Sequence, residues 1–155
     1  MGMSQSPLSM FRQMGSSIGR FSYCLPHILT PLKTTFLRFG DDVTGRNLSS
    51  TPFLNHDYKY KVGLVDISIH SKRLNLPNGT FPRGCMLDAG CSHNLVEMRV
   101  YEKILTVLMQ YFERFNMSRI RASVDGFLGE ELCYRPPRGF KSYQSMTYHF
   151  PRGGL

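Results

Sequence analysis

Acidic residues are absent from both ends of this 155-residue chain: no Asp or Glu occurs in residues 1–40, and none follows Glu131. Arg12, Arg20, Lys33 and Arg38 lie in the first acid-free stretch, and Arg135, Arg138, Lys141 and Arg152 in the second. The stretch between them holds eleven basic and eleven acidic residues, so the whole formal charge of +8 resides in the ends. That absence argues against a cationic partner and for an anionic one, phospholipid headgroups or nucleic-acid phosphates, where like charges add. An aid to solubility is the plain alternative. Also missing is any apolar run of the roughly 18 residues that a transmembrane helix needs. The longest candidate, residues 104–109, belongs to an amphipathic helix.

Other absences narrow the chemistry. Neither G-x-x-x-x-G-K-[ST] nor G-x-G-x-x-G occurs around Gly84, Gly90, Gly126 or Gly129, so no phosphate-cradling loop is expected. The N-terminus lacks a compact apolar segment with a small-residue cleavage site, so no secretory signal is read there. Cys24, Cys85, Cys91 and Cys133 are accordingly expected as reduced thiols rather than two disulfides, and Asn78-Gly79-Thr80 as a turn rather than a glycosylation site. Cys85, Cys91 and His93 form a C-x5-C-x-H group with Cys133 as a conceivable fourth ligand. Paired zinc cysteines are normally two to four residues apart, so a turn with partly buried thiols is the expectation and no metal or cofactor is assigned. Cys91 and His93 could also be drawn as a nucleophile pair, yet nothing marks a nucleophile elbow. Asp125, Glu130 and Glu131 read as a solvated turn. No catalytic residue is assigned, and the chain is not expected to be an enzyme.

What is present divides the chain into an arm, residues 1–52, basic, acid-free through Gly40 and largely flexible, and a single domain, residues 53–155, with a basic tail. Two signals overlap in the arm. Gly2 followed by Ser6 matches the N-myristoylation pattern, which needs a second membrane signal that Arg12, Arg20, Lys33 and Arg38 would supply. The Arg- and Ser-rich, acid-poor run of residues 10–38 also fits a mitochondrial transit peptide, with cleavage near Arg46-Asn47-Leu48-Ser49-Ser50. Pro7, Pro26 and Pro31 interrupt a continuous helix there. Phe11, Phe21, Tyr23 and Phe36, set between the cations, suit an interfacial segment or docking on the core.

In the domain, residues 57–70 alternate as a strand, with the apolar parity shifting near Gly63-Leu64 as at a bulge. Asn78-Gly79 supplies a tight hairpin turn. Residues 94–115 form the best helix, capped by Asn94 with Glu97 as reciprocal partner. Its apolar face runs Met98, Tyr101, Leu105, Leu108, Phe112 and Phe115, widened by Ile104 and Val107, and Asn116 closes it in the left-handed conformation. Residues 118–124 alternate as a half-buried strand, and the aromatic tail after Pro136-Pro137 adds a last one. The proline pair itself reads as a strand-ending turn rather than a recognition motif. The expected class is α+β: a small twisted antiparallel sheet with one long amphipathic helix packed on it.

Residues 65–73, Val-Asp-Ile-Ser-Ile-His-Ser-Lys-Arg, followed by Tyr101-Glu102-Lys103-Ile104-Leu105-Thr106-Val107-Leu108, resemble the matrix proteins of rhabdoviruses. The resemblance covers about fifty residues. It implies a virion structural protein at the inner face of the host membrane and in the host cytoplasm, bridging membrane and nucleocapsid in assembly and budding and associating with itself. Under it, Gly2, Arg12, Arg20, Lys33 and Arg38 would bind anionic membrane. Arg119, Arg121, Arg135, Arg138 and Lys141 would meet nucleocapsid, RNA or another copy. The chain departs from that family in lacking a PPxY motif near its N-terminus and in stopping early. Each basic residue near an acidic membrane contributes on the order of 1 kcal/mol, so four make reversible attachment feasible. The alternative is an imported mitochondrial protein, cleaved near Ser49, whose basic tail binds RNA in a large assembly.

Overall fold

The structure, a computed structural model, describes residues 3–15, 18–25, 35–45, 48–54, 57–91, 93–122 and 131–151. It divides into two compact units. The first comprises Met1–Gly63, Arg83–Asp88 and Arg152–Leu155, the second Leu64–Pro82 and Ala89–Pro151. The described elements mix small antiparallel sheets with one long helix, an α+β arrangement as expected. The paired strands fall into four separate sheets.

The first unit begins with a short helix, α1 (Met10–Gln13), whose Arg12 amide donates to the Ser9 hydroxyl at 3.3 Å. Strands β1 (Phe21–Tyr23) and β2 (Leu37–Phe39) pair antiparallel, Phe21 opposite Phe39, and a 3-10 turn, Gly40–Asp42, follows. β3 (Lys61–Val62) meets β6 (Cys85–Met86) in a second antiparallel pair. Gly84, at φ +67°, has to be glycine: a Cβ there would lie 2.5 Å from the Val62 carbonyl oxygen and against Leu54.

The second unit holds the main core. β4 (Asp66–Ile69) is buried along its whole length between β5 (Lys72–Arg73) and β9 (Met146–His149). Ile67 faces Tyr148 and Ser68 faces Thr147 across the β4–β9 ladder, and the Ser68 hydroxyl lies 2.7 Å from His149 Nε2. The β4–β5 turn is the two-residue loop His70-Ser71, with His70 at φ 54°. α2 (Met98–Glu113) packs Val100 and Ile104, one turn apart, against Ile67, Ile69 and Leu76. Each such aliphatic side chain contributes about 1.5–3 kcal/mol on burial. β7 (Ser118–Ala122) and β8 (Glu131–Arg135) form a separate antiparallel pair.

Several expectations shift in detail. The strand expected over residues 57–70 breaks into β3 and β4 near the parity change at Gly63-Leu64. The helix starts at Met98, not Asn94: Glu97 itself occupies the cap, without a side-chain hydrogen bond, so the expected reciprocal box is not made. Its buried stripe centres on Val100 and Ile104, because these short branched side chains let the helix approach β4; Met98 is 66% exposed. Asn116 does take the left-handed conformation, φ 49°. Asn78-Gly79 makes a turn, Thr80 N–H donating to Pro77 O at 3.1 Å with Gly79 at φ +81°, but it joins no paired strands and is not a hairpin. The strand after the helix ends at Ala122; Val124 lies outside the described residues.

Candidate binding site

Within the first unit, aromatic residues distant in sequence surround a pocket of about 810 Å³. Phe21 is its hub, with ring centroids 5.1 Å from Phe11, 6.4 Å from Tyr23 and 5.9 Å from Tyr60, and Phe53 stands 5.3 Å from Tyr60. Tilted and edge-on rings at these spacings attract one another beyond their area burial. The antiparallel β1–β2 pair presents Phe21 and Tyr23, α1 carries Arg12 next to Phe11, and Tyr60 directly precedes β3. The Tyr60 hydroxyl donates to Met3 O at 2.6 Å, which fixes the ring as a wall. Burial pushes the Tyr60 phenol above its ordinary range, and the nearby Arg12 charge opposes this more weakly.

Two guanidinium groups line the same pocket, and no acidic side chain does among the described residues. Arg12 Nε donates to Gln5 O at 3.4 Å, while Arg20 Nε donates to Gly40 O at 2.9 Å. Each carbonyl orients a planar fork. Arg20 also meets the Asp41 carboxylate at 3.4 Å, an exposed pair that contributes little.

The structure thus brings together two of the expected membrane-facing residues, Arg12 and Arg20. Arg38 lies on β2 with its guanidinium 5.9 Å from the centre of the Phe36 ring, a cation–π contact. Gly2 and Lys33 lie outside the described residues. In the second unit Arg119 sits opposite Tyr134, Arg121 opposite Leu132 and Arg135 opposite Ser118 in the β7–β8 ladder. Arg138 lies within, and Lys141 directly after, a turn closed by Phe140 N–H donating to Pro137 O at 3.1 Å, with Gly139 at φ +81°. Arg135, Arg138 and Lys141 are exposed, and among the described residues they form no ion pair. Sequence reading missed Phe53, Tyr60 and Leu87 as pocket residues. Their one signal was apolar character within weak strand patterns, which says nothing of convergence.

None of Cys24, Cys85, Cys91 and Cys133 is in a disulfide. Cys91 Sγ donates to the His93 backbone oxygen at 3.1 Å, and Cys85 Sγ to Met86 O at 3.8 Å. Burial pushes the Cys85 thiol up. No group of three potential metal ligands occurs among the described residues. The buried carboxylate of this region is Asp66, and it is spent on structure: Oδ1 accepts from the amides of Ile67 at 2.8 Å and Leu76 at 3.3 Å, and Oδ2 lies 3.6 Å from Arg73.

No curated protein and no solved structure matches the chain. The sequence model of one family, described as xylanase inhibitor C-terminal, matches residues 59–154, a range that holds β3 through β9 and α2. This match overturns the resemblance to rhabdovirus matrix proteins. With it go the viral matrix role in assembly and budding and the mitochondrial alternative, neither of which has support. The misleading segments are a β-hairpin and a helix whose shared residue types, Ile67, Ile69 and Ile104, are set by burial in the core, and burial selects the same aliphatic residues in unrelated folds. Matching well over half of its residues, the chain belongs to the xylanase inhibitor C-terminal family.

Proposed function

We propose that this chain is a non-catalytic protein-binding module that docks on a xylanase and blocks its cleft. The observation that carries this reading is the family match over residues 59–154. Physical chemistry supports it. A glycoside hydrolase ordinarily works through two carboxylates flanking the scissile bond, so its cleft is acidic and draws in a cationic partner. The matched range ends in the acid-free stretch that bears Arg135, Arg138 and Lys141, all exposed. Pro136-Pro137 stiffens that segment, and the turn from Pro137 to Phe140 presents it. Tyr143 is 67% exposed, with its ring 5.1 Å from Phe140. Arg and Tyr are the residue types that anchor protein interfaces. In this reading the three-stranded sheet, with the right-handed twist usual for sheets, and α2 are the scaffold; the acid-free residues 1–40 add a second cationic region. No catalytic group of the chain's own is required.

The test is hydrolysis of xylan by a purified endo-xylanase with and without this protein, across a salt series. Inhibition at low salt that weakens as salt rises, and that falls roughly tenfold or more in R138A/K141A, is the expected result. Absence of both inhibition and a complex at micromolar protein in low salt overturns the proposal.

A further inference from the structure

We propose that the aromatic pocket of the first unit binds a small amphipathic carboxylate, its charge held by the Arg12 and Arg20 guanidinium groups and its apolar body packed on Phe21, Phe53 and Tyr60. The proposal goes beyond xylanase docking and does not depend on it. A cavity of about 810 Å³ has the size of a site for a drug-sized molecule, and its walls are of the kind such sites use. Rings supply the apolar area, and a few polar groups fix orientation.

The polar groups decide the ligand's charge. Two arginines, with no acid among the described lining residues, make the pocket electropositive, which repels a cation and gains little from a neutral molecule. Guanidinium forks match the planar, two-oxygen geometry of a carboxylate. The backbone carbonyls of Gln5 and Gly40 each take an Nε–H, at 3.4 and 2.9 Å, and so orient the forks before a ligand arrives. A phosphate would meet the same forks, but the largely aromatic wall favours a ligand whose charge is carried on an apolar body. Tyr60 is not a second anchor because its hydroxyl already donates to Met3 O.

Asp41 adds a distinguishing feature. Its carboxylate, fully exposed, meets the Arg20 terminal nitrogen at 3.4 Å. It is the chain's own carboxylate on the fork that the ligand would use, and it competes for that fork. An exposed pair of this kind is weak, so a ligand carboxylate backed by buried apolar contact displaces it.

The experiment is calorimetric titration of the full chain with phenylbutyrate and, as a neutral match, phenylbutanol. Phenylbutyrate is expected to bind saturably, about tenfold or more tighter than phenylbutanol, because charge-assisted hydrogen bonds are at stake. R12A and R20A each reduce phenylbutyrate affinity roughly tenfold and leave phenylbutanol unchanged, whereas F21A weakens both. D41A, a change at an exposed side chain outside the lining, tightens phenylbutyrate a few-fold. Saturable binding with this pattern supports the proposal. Equal affinity for the two compounds, indifference of phenylbutyrate to R12A and R20A, or no saturable binding overturns it. If F21A fails to fold, D41A and the two-compound comparison still decide.

Discussion

Removing the Asp66 carboxylate is the sharpest perturbation of the second unit. Asp66 is 4% exposed, at the start of the central strand, and one oxygen bridges the amide beside it in β4 to the Leu76 amide ten residues on. Both amides are buried with it. In D66A two buried N–H groups lose their acceptor, and each orphaned donor costs about 1–3 kcal/mol, so a loss of about 2–6 kcal/mol is expected. D66N keeps an oxygen in place but replaces charge-assisted hydrogen bonds with neutral ones, for about 1–2 kcal/mol. R73A removes the third partner, but Arg73 is half exposed and 3.6 Å away, so its loss costs under about 1 kcal/mol. The chain has no tryptophan, so urea unfolding is followed by far-ultraviolet circular dichroism, which reports on α2. Hydrogen exchange at the Leu76 amide gives a local readout that global destabilisation by another route would not single out. The order D66A, then D66N, then R73A is the claim. R73A as costly as D66A, or a Leu76 amide equally protected in D66A, refutes the argument that backbone bridging rather than the ion pair is what Asp66 contributes.

Two further outcomes follow from the first unit. G84A destabilises it by about 2 kcal/mol or more in urea, since the added Cβ meets the Val62 carbonyl at 2.5 Å from a backbone at φ +67°; a neutral G84A would show that the β3–β6 approach is looser than described. Cys85, whose thiol burial raises above 9.0, forms its reactive thiolate at higher pH folded than unfolded, so its alkylation profile shifts to alkaline pH relative to the chain in urea. The same raised value means that the folded state loses stability as pH climbs through it, because the unfolded thiol ionises first, and C85A removes that loss. An alkylation profile identical in the two states contradicts the burial argument.

How much of this was legible in the sequence depends on the range of the forces involved. α2 was, because its apolar periodicity is local and sixteen residues long, and so was its end at Asn116, where a single residue's tolerance of positive φ decides. The apolar alternation of Ile67 and Ile69 marked β4, but its partner β9 lies about eighty residues on, and nothing local specifies that pairing. β6 is two residues long and carries no period at all. The helix was found, though its start was read four residues early, and its buried stripe was rotated, since periodicity fixes a face only as well as the long, flexible residues at its borders allow. Met98 reads as core by hydropathy, yet it stays in solvent because Val100 fits closer to the sheet. The pocket was the least visible feature. Arg12 and Arg20 stood out as cations, but their convergence with Phe53, Tyr60 and Leu87 comes from tertiary packing across residues 5–87.

The charge pattern shows how a sound observation can lead to the wrong function. The Coulomb field of Arg135, Arg138 and Lys141 responds alike to a lipid headgroup, a phosphate or a pair of carboxylates. Identity enters through shape and short-range contact, which composition does not carry. The matrix resemblance had the same weakness, resting on residues chosen by burial. The family match bears on both at once, since it spans β3 to β9 rather than two separate hydrophobic runs. The cationic tail then falls inside the range matched by the xylanase inhibitor C-terminal family, and under the proposed function the anion it would meet is the carboxylate pair of a glycosidase cleft. Salt dependence would accompany any of these partners. The informative comparison is R138A/K141A against R12A/R20A in the xylanase assay. Loss confined to the first pair places the inhibitory contact in the second unit, on the exposed turn; loss confined to the second pair moves it to the aromatic pocket and removes the tail from the mechanism.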